Sequence, residues 1–124
     1  MNEDKKVHII IFQAPAASLM ERDLYLKMND LNHTFCETVP AEYYLIVFDG
    51  EIECPQQFPE EEEQRVHMIL QHVCTIFNTA HPAGYCGRSL SVGDVVMLEG
   101  KYYLCVPKGF REVTFEISLN RPTA

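Results

Sequence analysis

Gly87-Arg88-Ser89-Leu90-Ser91-Val92-Gly93-Asp94-Val95-Val96-Met97-Leu98 passes from polar turn residues into a continuous apolar run. Small and polar residues followed by β-branched ones predict a corner that feeds a buried strand over Val92–Leu98. Glu99-Gly100-Lys101 then predicts a tight connection, Tyr102–Val106 its partner strand, and Pro107-Lys108-Gly109 a second turn. Within the corner, Asp94 has a plain structural use: a short carboxylate bonds nearby backbone amides and fixes where the strand begins.

Working outward, Phe110–Ser118 alternates, with Phe110, Glu112, Thr114 and Glu116 on one side and Arg111, Val113, Phe115 and Ile117 on the other, and the apolar set Val113, Phe115 and Ile117 predicts a half-buried strand. Upstream, Pro59–Asn78 predicts the principal helix. Proline suits a first helical position, and Glu60, Glu61, Glu62 and Glu63 complement the positive end of the helix dipole. Val66, Ile69, Leu70, Val73 and Phe77 recur at steps of three and four as one apolar stripe, opposite Gln64, Met68, Gln71 and Thr75. Further back, Lys6–Gln13 and Glu42–Phe48 read as buried strands, with Asp49-Gly50 as a turn and Glu51-Ile52-Glu53 as a short return. Ser18–Asn29 reads as a shorter helix, capped by Ser18 with Glu21 as its partner, with Leu24, Met28 and Leu31 at helical spacing. Asn29–Thr38 reads as loop, with Pro40 at a boundary. The class is α+β: a mostly antiparallel sheet of about 5–6 strands, one long helix packed on it and one shorter helix.

The chain has 124 residues, enough for one domain and one core; the expectation is an ordered core over residues 6–119 with frayed termini. No apolar run approaches the roughly 20 residues that span a bilayer. The start, Met1-Asn2-Glu3-Asp4-Lys5-Lys6, is unlike a secretory signal. Five cysteines (Cys36, Cys54, Cys74, Cys86, Cys105) make an odd count without a Cys-x-x-Cys pair, as in a reducing, cytoplasmic setting. A net charge of -8 weighs against nucleic acid and against an anionic membrane; its plain reading is that it keeps the chain soluble, and it leaves a basic protein partner or a DNA-mimicking role open. The four-glutamate run is either a solvated helix start or an acidic docking patch.

Chemistry has few footholds. His67 and His72 diverge by about 140° around a helix and cannot easily share a metal. His67 and Cys74 lie on one face, and His81 or Cys86 would complete a three-ligand set, but structural zinc sites have closer-paired ligands. Cys86 with His81 as base, beside Arg88, is the one nucleophile arrangement. Asp94 with Glu99 is the one carboxylate pair. Gly84, Gly87 and Gly93 form no phosphate loop, and Ser89 and Ser91 sit in no nucleophile elbow. Neither a catalytic residue nor a cofactor follows from these patterns.

The chain resembles the YodL-like family, small proteins and domains mainly of Firmicutes, often carried on plasmids and integrative conjugative elements. The elements that carry the resemblance are Ile76-Phe77-Asn78, His81-Pro82, Gly87–Val96, Tyr102-Tyr103-Leu104-Cys105 and Gly109-Phe110, with Ile11-Phe12-Gln13 and Tyr44–Gly50 upstream. Two positions depart from it: Gly93 stands where a second serine is common, and Tyr-Leu-Cys where Tyr-Cys-Asp is usual. The resemblance implies a mobile-element setting and no established reaction. Val92-Gly93-Asp94-Val95-Val96 also resembles a step of PUA-like and ASCH barrels, which implies RNA binding or a hydrolytic reaction on a small barrel; the charge balance opposes it.

The expectation is a non-enzymatic protein-interaction module that presents Arg88, Ser89, Ser91, Asp94, Tyr103 and Phe110 from the loop over residues 81–89 and the turn at Lys108-Gly109-Phe110. Its alternatives are the RNA-binding or hydrolytic barrel, with Lys101, Lys108, Arg111 and Arg88 as a basic groove, and an acidic DNA-like surface that counters host defence.

Overall fold

The apolar run after Asp94 lies deep in a six-stranded sheet. The computed structural model describes residues 5–30, 38–54, 60–79, 85, 87–106 and 109–116. Its elements are β1 (Lys5–Gln13), α1 (Ala16–Asp30), β2 (Thr38–Pro40), a single 3-10 turn (Ala41–Tyr43), β3 (Leu45–Cys54), α2 (Glu62–Thr79), β4 (Val95–Leu98), β5 (Lys101–Val106) and β6 (Gly109–Glu116). The strand order is β2-β6-β5-β4-β1-β3, with every pair antiparallel except β2 with β6. Among the described residues the sheet is open, ending at β2 and β3, unlike the closed sheet that the small-barrel alternative expects. Among the described residues no helix is long and apolar enough to cross a membrane.

The helical periodicity of α2 decides how the sheet is covered. Val66, Ile69, Leu70, Val73 and Phe77 are its buried residues, as their spacing predicts. They pack on Ile9, Ile11, Phe48, Ile52, Val96, Leu98 and Tyr103, which alternate along four strands. The opposite face holds a second cluster of Val39, Tyr44, Val95, Leu104, Val113 and Phe115, against which Tyr25 and Leu26 of α1 pack. Neighbouring residues of β4, Val95 and Val96, thus belong to different cores, which is why the run is apolar throughout.

Four local expectations change. Asp49-Gly50 is not a turn, because β3 runs through it, paired with β1 from Leu45 to Cys54. The glycine has another use: a Cβ at Gly50 would lie 3.1 Å from Phe48 Cζ, so the absent side chain leaves room for that ring. Ser18 is not the cap of α1. The helix begins at Ala16, and the Ser18 N–H donates to Pro15 O at 2.9 Å within the first turn. Leu24 does not lie on the buried stripe of α1; it is 57% exposed, while Arg22 is buried. Val92 and Gly93 form a turn, and the strand starts at Val95. Pro40 closes β2, a short edge strand, one of the few places in a sheet where proline is tolerated. Met28 side-chain packing, Leu31, Pro59, Ile117 and the tail after residue 116 lie outside what is described.

Two devices set the geometry near the corner. Glu99 (φ 53°) and Gly100 (φ 79°) form a two-residue connection of the type whose twist suits a hairpin, so β4 and β5 are locked in register. Between Ile11 and Phe12 the register with β3 slips by one residue, with Ile11 opposite Phe48 and Phe12 opposite Ile46. Val47 and Phe48 consequently both pack toward the α2 core.

Candidate functional site

The corner is organised by a buried carboxylate. Asp94 is 0% exposed and accepts from three elements. Its Oδ2 accepts from the Ser91 N–H and from Gln13 Nε2, both at 2.9 Å, and its Oδ1 from Arg22 Nη1 at 3.1 Å. Asp94 N donates to Ser91 O at 3.0 Å, and Gly93 between them has φ 98°, as the third position of such a turn requires. The carboxylate therefore does bond a backbone amide at the start of the strand, and it also holds the end of β1 and one face of α1. Burial pushes Asp94 above its ordinary range, opposed by the Ser91 amide, Gln13 and Arg22.

Gln13 and Arg22 are the partners that sequence reasoning did not name. Gln13 Nε2 also reaches Arg88 O at 3.0 Å, while its Oε1 accepts from the Arg88 N–H at 2.9 Å. The Arg88 guanidinium donates to Ala14 O at 3.2 Å. Arg22 is held a second time by Asp23 Oδ1, at 2.9 and 3.0 Å, and its guanidinium carbon lies 5.8 Å from the centre of the Tyr44 ring. Tyr44 Oη in turn donates to Gly93 O at 2.7 Å. A Cβ at Gly93 would fall 2.7 Å from the guanidinium, so the glycine makes room for Arg22 as well as for the turn. Asn78, at the end of α2, closes both backbone groups of Leu90: Oδ1 accepts from its N–H at 2.7 Å and Nδ2 donates to its carbonyl at 3.3 Å. The Tyr85 hydroxyl donates to Arg88 O. A lone glutamine ending an apolar strand, and a lone arginine three and four residues before Tyr25 and Leu26, were the available signals.

The six expected surface residues divide. Arg88, Ser89 and Ser91 are exposed at the corner, whereas Asp94 is sealed beneath it. Tyr103 and Phe110 lie elsewhere, on β5 and β6, and line a groove of about 830 Å³ at the start of α2. Its other walls are Glu61, Glu62, Glu63, Gln64, Val66, His67, Met68, Leu70, Lys101 and Glu112. Tyr103 and Glu112 are cross-strand partners, as are Cys105 and Phe110, so the two rings sit diagonally on one sheet face. Two ion pairs tie α2 to the β4–β5 hairpin beside the groove: Arg65 meets Glu99 at 2.9 Å and Lys101 meets Glu62 at 3.6 Å.

The chemical candidates are not assembled. Glu99 is engaged by Arg65 and Asp94 by Arg22, so the two carboxylates serve different contacts. His67 is exposed and paired with Gln71 at 3.1 Å, while Cys74 packs against the α2 core. His81 and Cys86 lie outside the described residues, and among those described no group of three metal-ligating side chains converges. Nor do the cations form one groove: Lys101 lies by Glu62, Arg88 reaches Ala14 O, Arg111 follows on the opposite face of β6, and Lys108 is not described. The carboxylates are also scattered rather than in one line: around the groove, on the far side of β3 at Asp49, Glu51 and Glu53, and on α1 and the 3-10 turn at Glu21, Asp23 and Glu42.

Two groups carry a pH prediction. Burial pushes the Cys105 thiol up to about 12, and burial together with Glu112, Glu62 and Glu99 pushes the Tyr103 hydroxyl up to about 12. At neutral pH the native Cys105 is expected to alkylate far more slowly than the same thiol in urea, since the thiolate is the nucleophile. Mass mapping after iodoacetamide checks this; equal rates in both states would refute it. For Tyr103 the folded value lies above the unfolded one, so its contribution to stability is complete below about pH 10 and fades as pH rises toward about 12.

The family model of the YodL-like domain matches residues 8–115. No curated protein and no solved structure matches the chain.

Proposed function

The chain belongs to the YodL-like domain family, and from that premise we propose that it is a non-enzymatic protein-interaction module that meets its partner at the groove between α2 and the β5–β6 ribbon. The observation that carries this reading is the groove itself, an open hollow floored by Val66, Leu70, Tyr103 and Phe110 and rimmed by charged side chains. Apolar floors with polar rims are the pattern of interaction surfaces. The corner supports the same division of labour: Asp94, Gln13 and Arg22 spend their bonds on one another and on the backbone, so they act as scaffold. A cytoplasmic module encoded in a mobile-element context is the setting that accompanies this reading.

Comparative capture tests it. Phe110→Ala is expected to lose the proteins that the wild-type chain retains, and Arg88→Ala, at the corner, to keep them. Identical capture by wild type and Phe110→Ala, with both variants folded by circular dichroism, would remove the groove as the contact face.

A further inference from the structure

We propose that the groove receives a basic, partly apolar segment of a partner protein, with an Arg or Lys side chain lying against Tyr103 and Phe110 and within reach of Glu112. This inference rests on the interaction-module reading and adds the chemistry of the occupant.

Three observations point to a cation. The first is charge. Four carboxylates, Glu61, Glu62, Glu63 and Glu112, line the groove with one lysine. Lys101 is already paired with Glu62, and Arg65 with Glu99. Glu61, Glu63 and Glu112 have no ion-pair partner among the described residues. A second basic group would find unmatched acceptors there.

The second is Tyr103. Its residue is 92% buried, being 8% exposed, and it belongs to the core beneath α2. Its hydroxyl has no hydrogen-bond partner among the described residues. Yet among those residues no buried polar side-chain atom lacks a partner, so the hydroxyl must be open to solvent, and the groove is the hollow that Tyr103 lines. A buried ring thus delivers one solvent-facing hydroxyl, without a protein partner among the described residues, into an acidic hollow, where it can accept from an N–H donor.

The third is the Phe110 ring, which is only partly buried. Aromatic faces attract guanidinium and ammonium groups, more strongly where water is partly excluded. Val66, Leu70 and Met68 then offer apolar contact to the stem of a long basic side chain and to its apolar neighbours. The same carboxylates repel phosphate, which disfavours a nucleic acid in this place.

Titration of the full chain with three synthetic peptides of equal length, alternating Arg/Leu, Gln/Leu and Glu/Leu, provides the test. Fluorescence anisotropy gives affinity, and amide chemical shifts locate the contact. The Arg/Leu peptide is expected to bind most tightly, to shift residues of the groove, and to weaken as salt rises. Glu112→Gln and Tyr103→Phe are each expected to weaken it roughly threefold to tenfold. Glu51→Gln and Glu53→Gln, on the far side of the sheet, are expected to leave it unchanged and so control for general attraction to an acidic protein. Urea midpoints establish that each variant is folded. Binding that maps away from the groove, or that survives Glu112→Gln and Tyr103→Phe together, overturns the proposal. If Gln/Leu binds in the groove as well as Arg/Leu, the cationic occupant falls while the interaction module stands; if Phe110→Ala captures every protein that wild type does, the module reading fails in its own right.

Discussion

Asp94→Ala is expected to lower the free energy of unfolding by about 3–5 kcal/mol, a large part of the stability of a domain of this size. The loss is large because three donors on three elements are orphaned at once: the Ser91 N–H, Gln13 Nε2 and Arg22 Nη1. Arg22 is itself buried, so its charge cannot simply turn to water, although Asp23 still holds it from the exposed side. Asp94→Asn should cost less than alanine and still be destabilising, since an amide presents N–H hydrogens toward at least one existing donor. Arg22→Met added to Asp94→Ala should recover only part of the loss, because Gln13 and Ser91 remain without their acceptor. Urea denaturation of the set measures these differences. A loss for Asp94→Ala below about 1 kcal/mol, the scale of an exposed ion pair, would mean that the network is not the keystone of the corner.

Phe77→Ala is expected to cost about 3–5 kcal/mol for a different reason, the cavity left in a packed core. Phe77 is 0% exposed. Its ring meets Phe48 edge-on at 5.0 Å and Tyr85 at 4.9 Å, so it joins α2 to β3 and to the segment before the corner. The effect should spread. Tyr85 bonds Arg88 O, and the next residue of the helix, Asn78, clamps Leu90. Faster amide exchange is therefore expected at Arg88, Leu90 and Ser91 in the variant, beyond what the lower global stability explains. Phe77→Leu, which fills most of the volume, should cost markedly less. Unchanged exchange at the corner would mean that α2 and the corner are held independently.

The two predictions separate what was legible from what was not. Local periodicity reports on a residue's neighbours in the chain, and so the stripe of α2, the alternation of β6 and the hairpin at Glu99-Gly100 were readable. Where local signals competed with long-range pairing, pairing won. Asp49-Gly50 has turn composition, but β1 is long enough to pair the whole of β3, and the strand continues through it. Ser18 and Glu21 match a capping pattern, but Pro15 O takes the Ser18 N–H and the helix starts sooner. The candidate site followed the same rule. Tyr103 and Phe110 were named from their motif, but the motif runs on through a ribbon, and the ribbon carries those rings away from the corner to the start of α2.

Composition and spacing alone determined the class of fold, the long helix with its buried stripe, and the role of Asp94 as an anchor for the strand that follows it. The six-strand order, the meeting of Gln13 and Arg22 over that carboxylate, and the union of the glutamates of α2 with Tyr103, Phe110 and Glu112 belonged to the tertiary structure. The physical reason is range. Hydrophobic periodicity is written within a few residues of chain, whereas a buried ion pair joins positions 22 and 94, and the groove joins positions 61 and 112, only after the sheet has closed the distance between them.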